Sequence, residues 1–257
     1  MSQVPAATRT LRVLRFLAGQ PDPVPLDRIM RACDLPRSTT YHLLNVMIEE
    51  GFVVHLVDER RFGLGLAAFE IGSGYARQEP LQRLARRPLA ALVDRTGQSA
   101  HLAVLHGREV LYVIEERAPG RPPLVTDVGV RLPAHLTASG RAILAGLPPA
   151  QVRALYASAA DFVDRHGRGP RTLTQLRRVL TDTRQRGHAV EDGEVTPGLA
   201  SVAVAVVDHN QHPVASVALT YPDDLADDGS LAEAVATTAD ALTRRIGGAT
   251  STPRQSG

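Results

Sequence analysis

The stretch LPRSTTYHLLNVMIEEGFV, residues 35–53, decides how the N-terminal part of the chain folds. Pro36 suits the first position of a helix, where its missing N–H leaves no hydrogen bond unmade. Gly51 suits the left-handed residue that closes one. Between them, helical spacing puts Leu43, Leu44, Met47 and Ile48 on one side and Arg37, Ser38, Tyr41, His42 and Asn45 on the other. A short helix that is apolar beneath and rich in donors and acceptors above is what the DNA major groove admits.

The flanking residues complete that motif. Leu26 to Cys33 predicts a short helix with Leu26, Ile29, Met30 and Cys33 on one side, and Asp34-Leu35 predicts the turn between the two helices. Upstream, TRTLRVLRFLA (residues 8–18) has a helical apolar stripe interleaved with Arg9, Arg12 and Arg15. Gly19, Pro21, Pro23 and Pro25 then predict a loop. Downstream, Phe52–Val57, a polar Asp58-Glu59-Arg60 turn and Arg61–Leu64 predict a two-stranded wing. The order is that of a winged helix-turn-helix. Its expected DNA contacts are Arg37, Ser38, Thr39, Tyr41, His42 and Asn45, with Arg60 and Arg61 at the wing tip reaching a phosphate or the minor groove. A helix from Leu66 to about Ala76, with Leu66, Phe69 and Ile71 apolar, is the expected connector.

Composition bounds the partners. The 257 residues suffice for one or two domains, and 44% hydrophobic with 22% charged residues is an ordinary globular balance. A net charge of +2 excludes a polycation that coats nucleic acid indiscriminately, so DNA affinity has to come from local placement of charge. All 29 basic residues are Arg, which, with the Ala, Gly and Pro enrichment, reads as codon bias rather than function. No apolar run approaches the ~18–20 residues of a spanning helix, and the N-terminus has no signal-peptide pattern. The one cysteine, Cys33, falls on the apolar side of a predicted helix, and a cytoplasmic protein without a membrane partner is expected.

A second domain is expected from about residue 80. Its predicted order is a helix to Thr96, strands Ser99–Leu105 and Glu109–Glu116, a strand at Val125–Val128, and helices Ala138–Leu147 and Pro149–Ala157. A mobile Arg/Gly stretch (165–171) and a helix Leu173–Arg186 come next. Strands His188–Glu191, Ala200–Val207 and Pro213–Thr220 and a closing helix Leu231–Ile246 complete it. Strands outnumber crossovers, so the class is α+β with a largely antiparallel sheet.

The segments LPRSTTYHLLNVMIEEGFV and RFGLG (61–65) resemble the DNA-binding domain of the IclR family of bacterial transcriptional regulators. In the same order and spacing, TGQSAHLAVLHG (96–107), VGVRLPAHLTASGRAILAGLP (128–148) and RGHAVEDGEVTPGLASVAVAVVD (186–208) resemble that family's effector domain. The resemblance runs from about Thr8 to Gly248. It implies a winged helix-turn-helix at 1–65, a linker helix at 66–79, a GAF-like effector-binding domain at 80–248 and a disordered tail at 249–257. It also implies a dimer or tetramer on double-stranded operator DNA and a small-molecule effector, an organic acid or related metabolite. The effector residues it points to are Ala138, Ser139, Glu191, Ser201, Ala218 and Thr220, with His101 and His135 nearby. This chain has His42 where the family often has Arg, and Ser201, Glu191 and Ala218 where several members have Cys, Asp and Ser.

Other chemistry lacks its residues. Asp208-His209-Asn210-Gln211-His212 contains an H-x-x-H but reads as a strand-turn-strand tip, and the nine His have no C-x-x-C or H-E-x-x-H company, so no metal site is expected. The glycines near 63–74 follow no Rossmann strand, and there is no G-x-S-x-G elbow, so neither a cofactor nor a catalytic residue is expected. The competing reading is a metabolite-binding protein or enzyme whose N-terminal helices serve only dimerisation. A regulator of another winged-helix family is a third, against which the order of the effector-domain segments argues.

Overall fold

The structure, a computed structural model, describes residues 4–78, 80–120, 126–225 and 229–249, with the side chains of residues 73–80 excepted. The chain forms two compact units, one up to Glu79 and one from Pro80 onward.

In the first unit, helices α1 (Pro5–Ala18), α2 (Leu26–Cys33) and α3 (Arg37–Glu49) close around Val13, Leu17, Ile29, Cys33, Leu44 and Met47. Strands β2 (Val53–Leu56) and β3 (Arg61–Leu64) pair antiparallel as the wing. The Pro-rich stretch expected only as a loop contributes a further strand, β1 (Val24–Pro25), on the other side of β3. An edge strand tolerates proline because the missing N–H interrupts no central ladder. Helix α3 starts one residue later than expected. Pro36 is extended (φ −61°, ψ 151°), and its carbonyl accepts both the N–H and the hydroxyl of Thr40 at 2.9 Å, which fully buries Thr40. Helix α4 (Leu66–Gln78) follows; Glu79, the last residue of the expected linker helix, lies outside the described residues.

The second unit runs α5 (Pro80–Thr96), β4 (Ser99–His106), β5 (Glu109–Glu116), β6 (Arg131–Pro133), α6 (Ala138–Gly146), α7 (Pro149–Leu155) and α8 (Leu173–Arg186). It continues with β7 (Ala189–Asp192), β8 (Leu199–Val207), β9 (Pro213–Pro222) and α9 (Ser230–Arg245). The six strands form one antiparallel sheet in the order β6-β5-β4-β9-β8-β7. Alternation along the strands sends Leu102, Val217, Leu219 and Val202 to one face, where Leu89 and Leu92 of α5 and Val235 and Leu242 of α9 cover them. On the other face Ile143 and Leu144 of α6 and Leu176 and Leu180 of α8 pack with Val110, Tyr112 and Tyr156. The class is α+β, as the sequence implies.

Two expectations need correction. The strand expected at Val125–Val128 is not there: residues 126–130 form a turn that folds back on β5, with Tyr112 exchanging hydrogen bonds with Gly129 and Val130, and the strand comes later, at Arg131–Pro133. Val125 itself lies outside the described residues, as do residues 250–257 of the expected tail. The stretch expected to be mobile at 165–171 is anchored. Arg171 pairs with Asp164 at 2.9 Å, Arg168 reaches the Asp192 carbonyl, and the His166 ring bonds the Val195 carbonyl at 3.1 Å.

Candidate DNA interface and effector pocket

Helix α3 presents Arg37, Ser38, Tyr41, His42 and Asn45 to solvent, leaves Thr39 half-buried, and has no acidic residue in its first turn. Tyr41 is 43% exposed although aromatic. Arg37 lies over its ring, with Cζ 5.5 Å from the centroid, and reaches Asp27 of α2 at 3.4 Å. That pair is too exposed to stabilise the fold appreciably. On the wing, Arg60 is exposed in the turn at φ +54°, whereas the Arg61 side chain is turned back onto the Pro23 carbonyl at 3.0 Å. The structure therefore brings the six α3 residues to one helix and separates Arg61 from Arg60.

The second site follows from strand register. Glu191 on β7 faces Ser201 on β8, Ser201 faces Thr220 on β9, and Thr220 faces Ser99 on β4. Partners in register share a face, so a polar row crosses four strands. Two residues along, the next row is Ala189, Ala203, Ala218 and His101. Ala138 and Ala142 of α6 pack on those alanines, which lets the helix lie close to the sheet. Gly140 permits a second close approach, to the loop before the helix: a Cβ there would collide with the Ala134 backbone.

At the edge of this alanine seam the sheet and the start of α6 diverge, leaving a narrow, partly open pocket. Ala138, Ser139, Glu191, Ser201, Ala218, Thr220 and His101 all line it. His135 does not. Its ring points the other way, edge-on to Tyr156 and Phe162, with Nε2 bonded to the Val163 carbonyl at 3.0 Å. Tyr112, Thr126, Thr137, Val195, Thr196 and Leu199 are further lining residues that the sequence reading missed. The β-bulge between Leu102 and Ala103 sets Tyr112 opposite Ala103, and Thr126 comes from the turn that replaces the expected strand. Neither carries a local sequence signal.

The polar groups of the pocket are specifically supported. Thr137 caps α6, its hydroxyl accepting the Gly140 N–H at 2.9 Å. The other amide N–H groups of the first helical turn have no intrahelical partner, and they favour an anion or acceptor. His101 is 1% exposed, bonds Thr126 Oγ1 through Nε2 at 2.8 Å, and has no protein partner at Nδ1. Burial, helped by the Arg117 charge, lowers its pKa to about 4, so the ring is neutral at physiological pH. Glu191 is 4% exposed, and its Oε1 accepts the Val195 N–H at 3.0 Å. Burial raises its carboxyl to about 7 against the pull of that hydrogen bond. Arg141, behind the pocket, donates from Nε to the His135 carbonyl, from Nη1 to the Val190 carbonyl and from Nη2 to Glu194 at 2.8 Å. It thereby locks the turn 193–198 that supplies Val195 and Thr196.

A recognition helix with a wing, joined in one chain to a domain with a polar pocket, defines a one-component transcriptional regulator. The chain belongs to the IclR family of such regulators. The family model described as "Bacterial transcriptional regulator IclR C-terminal" matches residues 73–244, and "IclR helix-turn-helix domain" matches residues 6–56. The chain is 32% identical over 244 residues to a glycerol operon regulatory protein of Streptomyces griseus, covering 93% of this chain and 95% of that one. It is 28% identical over 225 residues to the transcriptional repressor IclR of Escherichia coli, covering 86% and 81%. The solved structure of an IclR homolog from Microbacterium hydrocarbonoxydans, complexed with 4-hydroxybenzoate, superposes with a TM-score of 0.79 at 23% identity over 94% of this chain and 98% of that one, a likeness of fold. The relatives are transcriptional regulators, not enzymes.

Proposed function

We propose that this regulator binds double-stranded operator DNA through Arg37, Ser38, Thr39, Tyr41, His42 and Asn45 with Arg60 on the wing, and that a small organic acid in the pocket controls that binding. The observation that carries the reading is the pocket: it is lined largely by buried residues, polar along the Glu191–Ser201–Thr220 row, and opens onto the first turn of α6. Ser139, Ser201 and Thr220 supply hydroxyls to the acid, and the α6 amides receive its carboxylate. The effector acts only through a difference in its affinity for the DNA-competent and DNA-incompetent arrangements.

The acting form is a homo-oligomer built on a dimer in the cytoplasm, with the recognition unit at 1–65, α4 as the linker and the effector domain at 80–248. Support comes from an apolar groove in the first unit, lined by Leu11, Leu14, Val46, Phe52, Leu64 and Ile71. Leu66, Phe69 and Ile71 of α4 are 70%, 71% and 61% exposed in the single chain. So large an apolar surface is a partner site, and a second copy reads the second half-site of an operator. Among the described residues no helix is long and apolar enough to cross a membrane.

The test is fluorescence anisotropy of the purified chain on fragments of its own and neighbouring promoters. Salt-sensitive, sequence-selective binding is expected, abolished by the double substitution Arg37→Ala/Asn45→Ala with folding unchanged by circular dichroism. Selective binding that survives the double substitution, or no selective binding by the intact chain, overturns the proposal.

A further inference from the structure

The charges around the pocket constrain how an acid can enter it. The lining holds one carboxyl, Glu191, one imidazole, His101, and one phenol, Tyr112, with neither Arg nor Lys among the described lining residues. Arg141 does not fill that gap, because its three donor nitrogens are engaged by the His135 and Val190 carbonyls and by Glu194. An incoming carboxylate therefore meets the α6 amides, hydroxyls and the buried Glu191 in one narrow pocket, and among the described residues no free cation lines it between the two acids. Two carboxylates sharing one pocket disfavour each other's ionised form, so one of them tends to hold a proton.

We propose that the pocket takes up one proton from solvent with each anionic effector, the acid binding as its carboxylate at the start of α6 while Glu191 becomes a neutral carboxylic acid whose O–H donates to it. This rests on reading the pocket as an organic-acid site. Every element packed against Glu191 is compatible with the change. From the 193–198 turn, the Glu194 charge raises the Glu191 pKa and the Val195 N–H lowers it; the Ser201 hydroxyl on β8 and the Arg141 charge on α6 lower it, and burial outweighs these. Tyr112 on β5 is held well above its ordinary pKa by burial, and His101 on β4 is already neutral near physiological pH. Glu191 is thus the lining group whose charge changes near neutrality, and a bound anion pushes its proton affinity higher still.

Isothermal titration calorimetry of the full chain with pyruvate, lactate, succinate and 4-hydroxybenzoate, from about pH 6 to about pH 8.5, tests this in phosphate and Tris, whose ionisation enthalpies differ. The expected result is uptake approaching one proton per acid bound at about pH 8, with affinity falling towards tenfold per pH unit above about pH 7. Glu191→Gln, neutral at every pH, is expected to lose the proton uptake and to bind more tightly than the parent at the alkaline end. Binding without proton uptake, at an affinity independent of pH, overturns the coupling and leaves the organic-acid reading standing. Binding of none of the acids at any pH overturns that reading, and the coupling with it.

Discussion

Arg141→Met removes a guanidinium that ties α6 to β7 and to the 193–198 turn. The arginine side chain is 4% exposed and Glu194 14%, with 2.8 Å between them, so this is a nearly buried ion pair. Methionine occupies much the same volume, which keeps the cavity contribution small. The loss is then electrostatic: the His135 and Val190 carbonyls lose charged donors, and Glu194 is left without its counter-charge. Breaking a buried pair by removing one partner costs about 3–5 kcal/mol. Because Glu194 retains some contact with water, a value near the lower bound, about 3 kcal/mol, is appropriate. In a domain of this size that corresponds to a fall in Tm of about 6–12 °C, read by differential scanning calorimetry of the full chain. Arg141→Lys keeps the charge but not the three-way fork, and is expected to lose an intermediate amount. A fall of under about 2 °C for Arg141→Met would refute the view that this residue anchors the turn.

Three further outcomes are expected. Arg60→Ala should weaken operator binding evenly across sequences and reduce the slope of log affinity against log salt by about 0.9, measured by anisotropy at several salt concentrations; an unchanged slope removes Arg60 from the phosphate contacts. Ala203→Leu should force α6 off the alanine seam, lowering stability by about 1–3 kcal/mol in urea unfolding and abolishing effector binding, whereas the same stability in the variant would mean the seam is not tightly packed. His101 and Glu191 should impose opposite pH dependences on stability. The depressed His101 pKa, about 4 against 6.5, makes stability fall as pH drops below about 6.5, since only the unfolded chain is then protonated. The raised Glu191 pKa, about 7 against 4.5, makes stability fall as pH rises from about 4.5 to about 7. Between pH 4.5 and 6.5 the two nearly cancel; Glu191→Gln should unmask a stability that rises with pH, and His101→Gln one that falls, by thermal unfolding across that range.

The parts of the molecule legible in its sequence are those set by local periodicity. The helical spacing of residues 37–48 and the alternation in 199–207 and 213–222 place α3, β8 and β9 almost to the residue, because one face of each must be apolar. The polar row became visible through family resemblance rather than through periodicity, since Ser201 and Thr220 are ordinary strand residues until a register pairs them. What escaped depends on non-local contacts. Val24–Pro25 becomes a strand only because β3 offers an edge. Tyr112 reaches the pocket through a bulge, and Thr126 through a turn held by backbone hydrogen bonds to Tyr112. His135 fails for the same reason: three residues before the helix, its ring turns into the aromatic cluster while its own carbonyl accepts from Arg141. The Arg/Gly stretch at 165–171 carries composition typical of a mobile loop, yet its anchors lie on the distant turn at 192–195.

The alanine seam also decides how the pocket can respond to a ligand. Ala138, Ala142, Ala189, Ala203 and Ala218 have no side-chain rotamers, so a pull on the start of α6 cannot be absorbed by local repacking. The helix moves as a body against the sheet or it does not move. The opposite wall differs: the 193–198 turn lies between Gly193 and Gly198, both at positive φ, and is held by side chains, Glu194 to Arg141 and Glu191 to Val195. A ligand that changes the proton on Glu191 acts on one of those anchors directly, because a neutral carboxylic acid is a weaker acceptor for the Val195 N–H than a carboxylate. Binding chemistry and wall mobility therefore meet in one residue. Substitution at Glu191 should accordingly alter not only effector affinity but also amide exchange of Val195 in the effector-free protein, slowing or speeding it with the strength of the acceptor that remains.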